Sequence, residues 1–313
     1  MFVWLDVSSL GEPLGGAIAI GNFDGVHLGH RAVVDRLRLA GLSTAVLVPD
    51  PHPLAVLGHP QPLLTPMPLR GRLLRAAGVQ NLLRLPFDRR MAEMEPETFV
   101  REMILGRIRP RHVVVGFNFT YGRGADGNVD QLAATLAESG VPLEVVAPTL
   151  YDGTVVSSSR VRRCLGQGDV AMAAVLLGRP HVVIGTVQSG RGRGRTIGFP
   201  TANVATAPGV ALPAEGVYAV QCRTGTEVWP GVCNLGPRPT FDEGESLLEV
   251  HLLHYHGDLY GQEVEVAFAH RLRGQMRFDG PQSLRAQISR DVEAAEEMLG
   301  VATAGWDMLG WPG

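Results

Sequence analysis

Lysine is absent from this chain of 313 residues, because all 28 of its lysine and arginine positions are arginine. The absence excludes every mechanism that needs a lysine. Among these are the nucleotide-binding loop whose lysine contacts phosphates, the strand lysine of protein kinases, and Schiff-base chemistry. Phosphates bound by this protein must be held by arginine, histidine, backbone N–H groups and a metal ion.

Cysteine is also scarce, with only Cys164, Cys222 and Cys233 in the whole chain. Their number is odd, they lie far apart, and no two of them have the CxxC spacing. The sequence therefore predicts neither a disulfide framework nor a thiolate zinc site. A reducing cytoplasm is the compartment that this pattern favours.

Long apolar runs are missing as well, since none approaches the roughly twenty residues that a membrane span needs. The first thirty residues contain no lysine or arginine but carry Asp6, Glu12 and Asp24, which is the opposite of a secretory signal. The formal net charge of -3 gives no electrostatic sign of nucleic-acid binding. We therefore predict neither a membrane nor a nucleic-acid partner.

Two different patterns divide the chain, and its length exceeds that of one typical domain. In the first part, short β-rich runs alternate with helical patterns, which indicates an α/β domain with a Rossmann-like parallel sheet. These runs are residues 17–20, 44–48, 81–85, 112–117 and 143–147. Seven prolines between residues 49 and 68 predict a long loop after the second run.

The second part has short strands separated by glycine and proline turns, which indicates a small antiparallel barrel or sandwich. The predicted strands are residues 181–187, 216–222, 228–236, 247–253 and 263–268, and a helix over 283–299 follows them. One or two short helices over 160–180 link the parts. We place the domains at residues 1–178 and 179–313.

A first group of functional residues lies in GNFDGVHLGH, at positions 21–30, between a predicted strand and a predicted helix. The start of a helix after a parallel strand binds anions, because its N–H groups are free. His27 and His30 share one helical face, and Gly29 lets a phosphate approach the backbone. A histidine pair at this place can also simply cap the helix.

A second group lies in GTVQSGRGRGRTIGFPTAN, at positions 185–203. In an extended segment Thr201 and Asn203 point to the same face and present hard oxygen ligands suited to Mg²⁺. The arginine-rich run at 191–195 is also compatible with a solvated basic loop or a weak RNA contact. Thr–Asn pairs often only satisfy turn backbones.

The first group and three further segments resemble the FMN adenylyltransferase module of the bacterial bifunctional riboflavin kinase/FAD synthetase family. The other segments are DPHP (50–53), VGFNFTYGRGADGN (115–128) and VSSSRVRR (156–163). The resemblance implies an HxGH nucleotidylyltransferase in which His27 and His30 bind ATP phosphates and Ser157, Ser158 and Arg160 clamp the triphosphate. It implies a nucleotide and flavin pocket from Gly21, Asn22, Phe23, Asp24, Gly25, Gly29, His52 and Asn118.

The segment GRTIGFPTAN (194–203) closely resembles the riboflavin kinase signature of the same family. LPAEGVYAV (212–220), GVCNLGPRPTF (231–241) and EVHLL (249–253) follow it at family-like spacing. The resemblance implies a six-stranded barrel with Glu249 as the base and with Thr201 and Asn203 on Mg²⁺. The ATP phosphates would be wrapped by Gly194, Arg195, Gly198 and Pro200.

The resemblance predicts two ATP-dependent reactions, riboflavin to FMN and FMN to FAD, with Mg²⁺ as cofactor. The chain departs from the family pattern mainly at Pro49, Ser159, Ser189, His254 and Arg277. Two other interpretations stay open from the residues alone. One is a nucleotidylyltransferase for another phosphorylated vitamin precursor, and the other is a flavin-binding or RNA-contacting protein without activity. The oligomeric state is not predicted.

Overall fold

The computed structural model describes residues 3–190, 194, 197–237 and 246–300. The chain groups into two compact units, Met1–Ser157 and Ser158–Gly313. Within the described ranges, every helix is too short or too polar to cross a lipid bilayer.

The first unit is built on a sheet of six parallel strands in the order β1-β4-β3-β2-β5-β6. The strands are β1 (Val3–Asp6), β2 (Ala17–Ile20), β3 (Thr44–Asp50), β4 (Asn81–Pro86), β5 (His112–Gly116) and β6 (Leu143–Val146). The predicted parallel α/β architecture is confirmed. Strand β1 was not predicted, because its four residues show no pattern and it is fixed by pairing with β4.

Helices connect these strands, and a short hairpin, β7 (Leu150–Tyr151) and β8 (Thr154–Val155), follows β6. Most of the helices have an N-cap residue whose side chain accepts a hydrogen bond from a backbone N–H of the first turn. Asn128, for example, forms a reciprocal capping box with Gln131. The helices are α1 (Leu28–Leu39), α2 (Pro53–Val56), α3 (Met67–Ala76), α4 (Arg89–Ala92), α5 (Pro96–Thr98), a π-helix (Phe99–Ile108) and α6 (Val129–Glu138).

The proline-rich segment is more ordered than the predicted loop. Strand β3 continues through Pro49 to Asp50, α2 lies within the segment at residues 53–56, and α3 begins near its end at Met67. Pro49 lies beyond Leu47, the last residue of β3 that pairs with β2, so its missing N–H leaves no ladder bond to β2 unmade. Prolines also stand in the first turns of α2 and α3, where the N–H has no partner within the helix.

The second unit contains a closed antiparallel barrel with the strand order β10-β13-β12-β11-β14-β9. Its strands are β9 (His181–Gln188), β10 (Ala202–Thr206), β11 (Gly216–Thr224), β12 (Glu227–Pro237), β13 (Ser246–Leu252) and β14 (Glu263–Arg273). The predicted barrel is confirmed. The strand that the hydrophobic pattern did not show is β10, which closes the ring between β9 and β13.

Among the described residues of this unit, the longer helices are α7 (Ser158–Gly166), α8 (Val170–Leu177) and α9 (Pro281–Gly300). Helix α9 covers part of the outer barrel face, where Ala295 and Leu299 pack with Val217, Ala219 and Val232. Helix α8 contacts β9 and β14. The grouping by contacts therefore divides the chain at Ser157, whereas the sequence placed the domain boundary near residue 178.

The boundary can be tested with two fragments, residues 158–313 and 179–313. Helix α8 buries Val170, Ala173, Leu176 and Leu177, and burying such side chains stabilises a fold by several kcal/mol in total, on the order of 1.5–3 each for the larger ones. We expect the shorter fragment to melt at least about 5 °C below the longer one in thermal denaturation. Equal melting temperatures would support a boundary at 178.

Candidate active sites

The first site lies at the carboxyl edge of the parallel sheet, where the strand order changes direction. Strand β2 pairs with β3 on one side and with β5 on the other. The segments that follow these three strands, at 21–27, 51–53 and 117–118, therefore leave the same edge of the sheet. Such a switch point forms the crevice in which ligands of open α/β sheets bind.

The two histidines meet at the start of α1, as the spacing predicted. His27 is the N-cap, and its Nδ1 accepts a hydrogen bond from the His30 N–H at 3.3 Å. The two imidazole rings are stacked, with centroids 3.7 Å apart. A Cβ on Gly29 would lie 3.1 Å from Cε1 of His27, so the glycine keeps this ring close to the helix. His27 therefore both caps α1 and pairs with the imidazole of His30.

The local environment of His30 disfavours the protonated form of its imidazole. Burial lowers the pKa of His30 well below its usual value, and the nearby His27 and Arg70 lower it further. Its Nδ1 is buried and has no hydrogen-bond partner among the residues that the structure describes. A buried polar atom without a partner costs about 1–3 kcal/mol, and a bound ligand would satisfy it.

The turn between β2 and α1 contains five further predicted binding residues, and they differ in exposure. Asn22 is exposed and Gly21 is partly exposed, whereas Phe23, Asp24 and Gly25 are buried. The Asp24 carboxylate accepts hydrogen bonds from the backbone N–H groups of Leu64 and Thr65, at 3.1 and 2.9 Å.

The remaining residues predicted for this site lie on further segments of the chain. His52 is the N-cap of α2, and its Nδ1 accepts a hydrogen bond from the Leu54 N–H at 3.3 Å. Asn118 is exposed directly after β5, and Ser157 is partly buried just before α7. Ser158 begins α7 and Arg160 lies in its first turn, within the second unit.

The second site lies on the outer surface of the barrel, where three polar residues stand in register on adjacent strands. Asn203 of β10 is opposite Glu249 of β13, which is opposite Asn234 of β12. The flanking Leu248 and Val250 are buried, so the alternation of strand side chains puts Glu249 on the other face. The Asn234 amide donates from Nδ2 to Oε2 of Glu249 at 3.3 Å.

Backbone hydrogen bonds join Gly194 to Ile197 and Phe199, which precede β10. The Gly194 carbonyl accepts hydrogen bonds from the backbone N–H groups of Ile197 and Phe199, at 3.2 and 2.9 Å. A Cβ on Gly194 would collide with the Phe199 carbonyl and approach Thr201 Oγ1. Gly198 has a φ of +90°, which favours glycine.

Neighbouring residues hold the end of this segment. The Pro200 carbonyl lies 2.7 Å from Nδ1 of His251 on β13. A Cβ on Gly190 would collide with the amide of Asn203, so glycine is required there for the close approach. Arg195, which was predicted to bind phosphate, lies outside the described residues.

Comparison with known proteins assigns the chain to a family. Residues 11–160 match the FAD synthetase family model, and residues 177–299 match the riboflavin kinase model. The bifunctional riboflavin kinase/FMN adenylyltransferase of Bacillus subtilis is 36% identical over 294 residues, covering 91% of this chain and 92% of its own length. The chain belongs to this bifunctional family. The Escherichia coli K12 member is 37% identical, covering 92% and 94% of the two chains.

A solved structure gives the same fold. The crystal structure titled as a macrolide-efflux protein from Streptococcus pneumoniae has a TM-score of 0.86 and 28% identity, covering 94% of this chain and 98% of that chain. The family and the two enzymatic activities that were predicted from the sequence are confirmed. The roles of individual residues stay predictions.

The sequence reasoning missed two residues of the barrel site. Asn234 lay within a recognised segment, but only strand pairing shows that it contacts Glu249. The second is Gln275, whose Nε2 donates to Oδ1 of Asn234 at 3.1 Å and to the Leu235 carbonyl at 2.7 Å. These contacts orient the Asn234 amide so that its NH₂ group faces the Glu249 carboxylate.

Replacing Gln275 with alanine should therefore weaken the kinase reaction. We expect the rate of riboflavin phosphorylation to fall by up to about tenfold, because one hydrogen bond that orients Asn234 is lost. Steady-state FMN formation measures the effect. FAD formation from added FMN and the adjacent variant Met276→Ala, at an exposed side chain, are the controls. An unchanged kinase rate in Gln275→Ala would contradict this role.

Proposed function

We propose that each of the two matched segments, residues 11–160 and residues 177–299, carries one of the two reactions and that the predicted residues carry the chemistry. Phosphorylation of riboflavin takes place on the outer barrel face at Glu249, and adenylyl transfer to FMN takes place at the sheet crevice beside His27 and His30. The observation that supports this division is that each family model matches a segment containing one polar cluster. The substrates are riboflavin, FMN and ATP.

In the adenylyl-transfer step, a phosphate oxygen of FMN attacks the α-phosphorus of ATP. A new P–O bond forms to that phosphorus while its bond to the β-phosphate breaks, and pyrophosphate leaves. The protein must align the reactants and stabilise the charge that develops on the leaving group. His27, His30 and the N-terminus of α1 are suited to this, and Ser157, Ser158 and Arg160 are proposed to hold the triphosphate.

In the kinase step, the 5′-hydroxyl of the riboflavin side chain attacks the γ-phosphorus of ATP, and ADP leaves. Glu249 is proposed to orient this hydroxyl and accept its proton as the γ-phosphoryl group is transferred. The Asn234 contact to one oxygen of Glu249 fixes the carboxylate and leaves the other oxygen for the substrate. Gly194, Arg195, Gly198 and Pro200 are proposed to surround the ATP phosphates.

The kinase site also suits a magnesium ion. Thr201 offers a hydroxyl and Asn203 an amide oxygen, and the Glu249 carboxylate stands opposite Asn203 in the β-ladder. Oxygen donors of this kind are the ligands that Mg²⁺ prefers together with phosphates and waters. Thr201 and Asn203 would hold the ion. When bound, it would neutralise charge on the ATP phosphates. The cytoplasmic location stays a prediction.

The division of labour predicts that each reaction can be removed without the other. The double variant His27→Ala/His30→Ala should still convert riboflavin to FMN but should lose FAD formation by at least about 10²-fold, because charge stabilisation is lost only at the crevice. Glu249→Ala should lose FMN formation by roughly 10²–10⁴-fold while converting added FMN to FAD.

Chromatography of the flavins after incubation with riboflavin or FMN and ATP measures both steps in the full chain. His59→Ala, in an exposed loop position, is the matched control for loss of an imidazole. If folded Glu249→Ala lost FAD formation from FMN as severely as FMN formation, the two sites would not be independent.

The proposed phosphate clamp makes a separate prediction for Arg160. Arg160→Lys should reduce FAD formation by about tenfold or more, since an ammonium group cannot reproduce the paired hydrogen bonds of a guanidinium to phosphate. Arg162→Lys, in the same helix but turned away by about 200°, serves as the control. Wild-type rates for Arg160→Lys, measured from added FMN and ATP, would show that charge alone suffices.

A further inference from the structure

The turn that leads from β2 into the histidine pair has an unusual backbone conformation. Phe23 and Val26 have φ angles of 50° and 43°, and Gly25 has a φ of 89°. Residues with side chains, above all β-branched ones such as valine, rarely adopt positive φ. A turn of this kind persists only when the surrounding structure holds it in place.

A buried carboxylate lies at the centre of this turn. The side chain of Asp24 is 2% exposed and accepts hydrogen bonds from the Leu64 N–H, the Thr65 N–H and the Thr65 hydroxyl, the last at 3.2 Å. The Thr65 hydroxyl in turn accepts a hydrogen bond from the Gly25 N–H at 2.8 Å. The segment before α3 is thereby fastened to the turn.

Arg70 of α3 completes the network. Its side chain is 3% exposed, and Nη2 lies 3.2 Å from Oδ1 of Asp24. The same guanidinium donates from Nη1 to the Asn22 carbonyl at 2.9 Å, and from Nε and Nη2 to the Thr65 carbonyl at 3.2 and 2.9 Å. The planar guanidinium of Arg70 thus links the turn to α3, whereas the ammonium group of a lysine could form only some of these hydrogen bonds.

The turn connects directly to the imidazoles. It ends at His27, whose ring caps α1 and stacks on His30. The ring of Phe23, one of the residues with positive φ, lies 5.0 Å from the ring of His30. A change in the turn would therefore move both histidines.

The same network sets the charge around His30. The charged and titratable groups that act on it are His27 at the start of its own helix and Arg70 from α3, and Asp24 of the turn compensates the charge of Arg70. Burial has the largest effect in lowering the pKa of His30, and the cation of Arg70 adds to it.

We infer that Asp24 and Arg70 form a positioning pair that holds the imidazoles of His27 and His30 for adenylyl transfer. The inference rests on the proposed role of this crevice in FAD formation. It gives Asp24 a role behind the site in place of the direct ligand contact that the resemblance implied. Neither side chain takes part in bond making, and both act through the turn.

The test uses the full chain with Arg70→Met, Asp24→Asn and Arg70→Lys, and Arg75→Met at an exposed position of the same helix as control. We expect Arg70→Met to lower kcat for FAD formation about 10²-fold with the KM for ATP changed little, because the histidines act on charge that develops in the transition state. Arg70→Lys should fall between wild type and Arg70→Met. FMN formation from riboflavin in the same samples should be unchanged.

An independent readout is the NMR titration of His30, assigned with a His30→Ala variant. Loss of the Arg70 cation should raise the pKa of His30, whereas Asp24→Asn leaves that cation uncompensated and should lower it. A purely structural role would not move the pKa in opposite directions. If Arg70→Met fails to fold, Arg70→Lys supplies the kinetic measurement and Asp24→Asn supplies the titration.

Wild-type kcat for FAD formation in folded Arg70→Met or Asp24→Asn, or shifts of the His30 pKa in the same direction, would overturn the inference. An equal loss of FMN formation would do so as well, because the pair would then support the whole chain and not the crevice. If the wild-type chain formed no FAD from FMN, the proposed function would fail instead. The NMR titration would still report whether the pair controls the histidines.

Discussion

The parallel pairing of β2 with β5 is the contact on which the first site depends. It places β2 and β5 side by side. The segments that follow these two strands diverge, so the crevice between the segments cannot be filled by a connecting loop. The histidine-bearing turn follows one of these strands and Asn118 follows the other. Substitutions that weakened this pairing would separate the two segments proposed to bind ligand without changing any of the predicted site residues.

In the barrel, the second site depends on closure of the ring of strands. Strand β10 pairs with β9 on one side and β13 on the other, and this brings Asn203 opposite Glu249. The side-chain alternation of each strand then sends apolar residues inward and the polar row outward. The outer face thus carries both α9, which covers a hydrophobic patch, and this polar row, in which Glu249 is partly exposed.

The strand and motif pattern could be read from the sequence because it is local. Most strands and the start of α1 follow from runs of adjacent residues, and the polar residues of both groups lie within short segments. Arg70, Asn234 and Gln275 could not be found in this way. Arg70 meets Asp24 across 46 residues and Gln275 meets Asn234 across 41, so only the folded chain brings them together.

The proline-rich segment shows that amino-acid composition alone can mislead a prediction of local structure. Proline counts argued correctly against an uninterrupted strand or helix, but they do not reveal which backbone N–H groups need a partner. Pro49 is accommodated at a strand end and Pro53 in the first turn of a helix, and in both places no N–H is required. Position within an element, and not composition, decides whether a proline breaks it.

The lowered pKa of His30 bears on what would happen after the proposed adenylyl transfer. A permanent cation at the same place would attract pyrophosphate as strongly after bond cleavage as during it. A neutral imidazole offers a directed hydrogen bond without a fixed charge, so its contribution is largest while charge is developing and smaller towards the free, solvated anion. If His30 contacts the ATP phosphates as proposed, its lowered pKa would favour departure of pyrophosphate, and with it the next catalytic cycle.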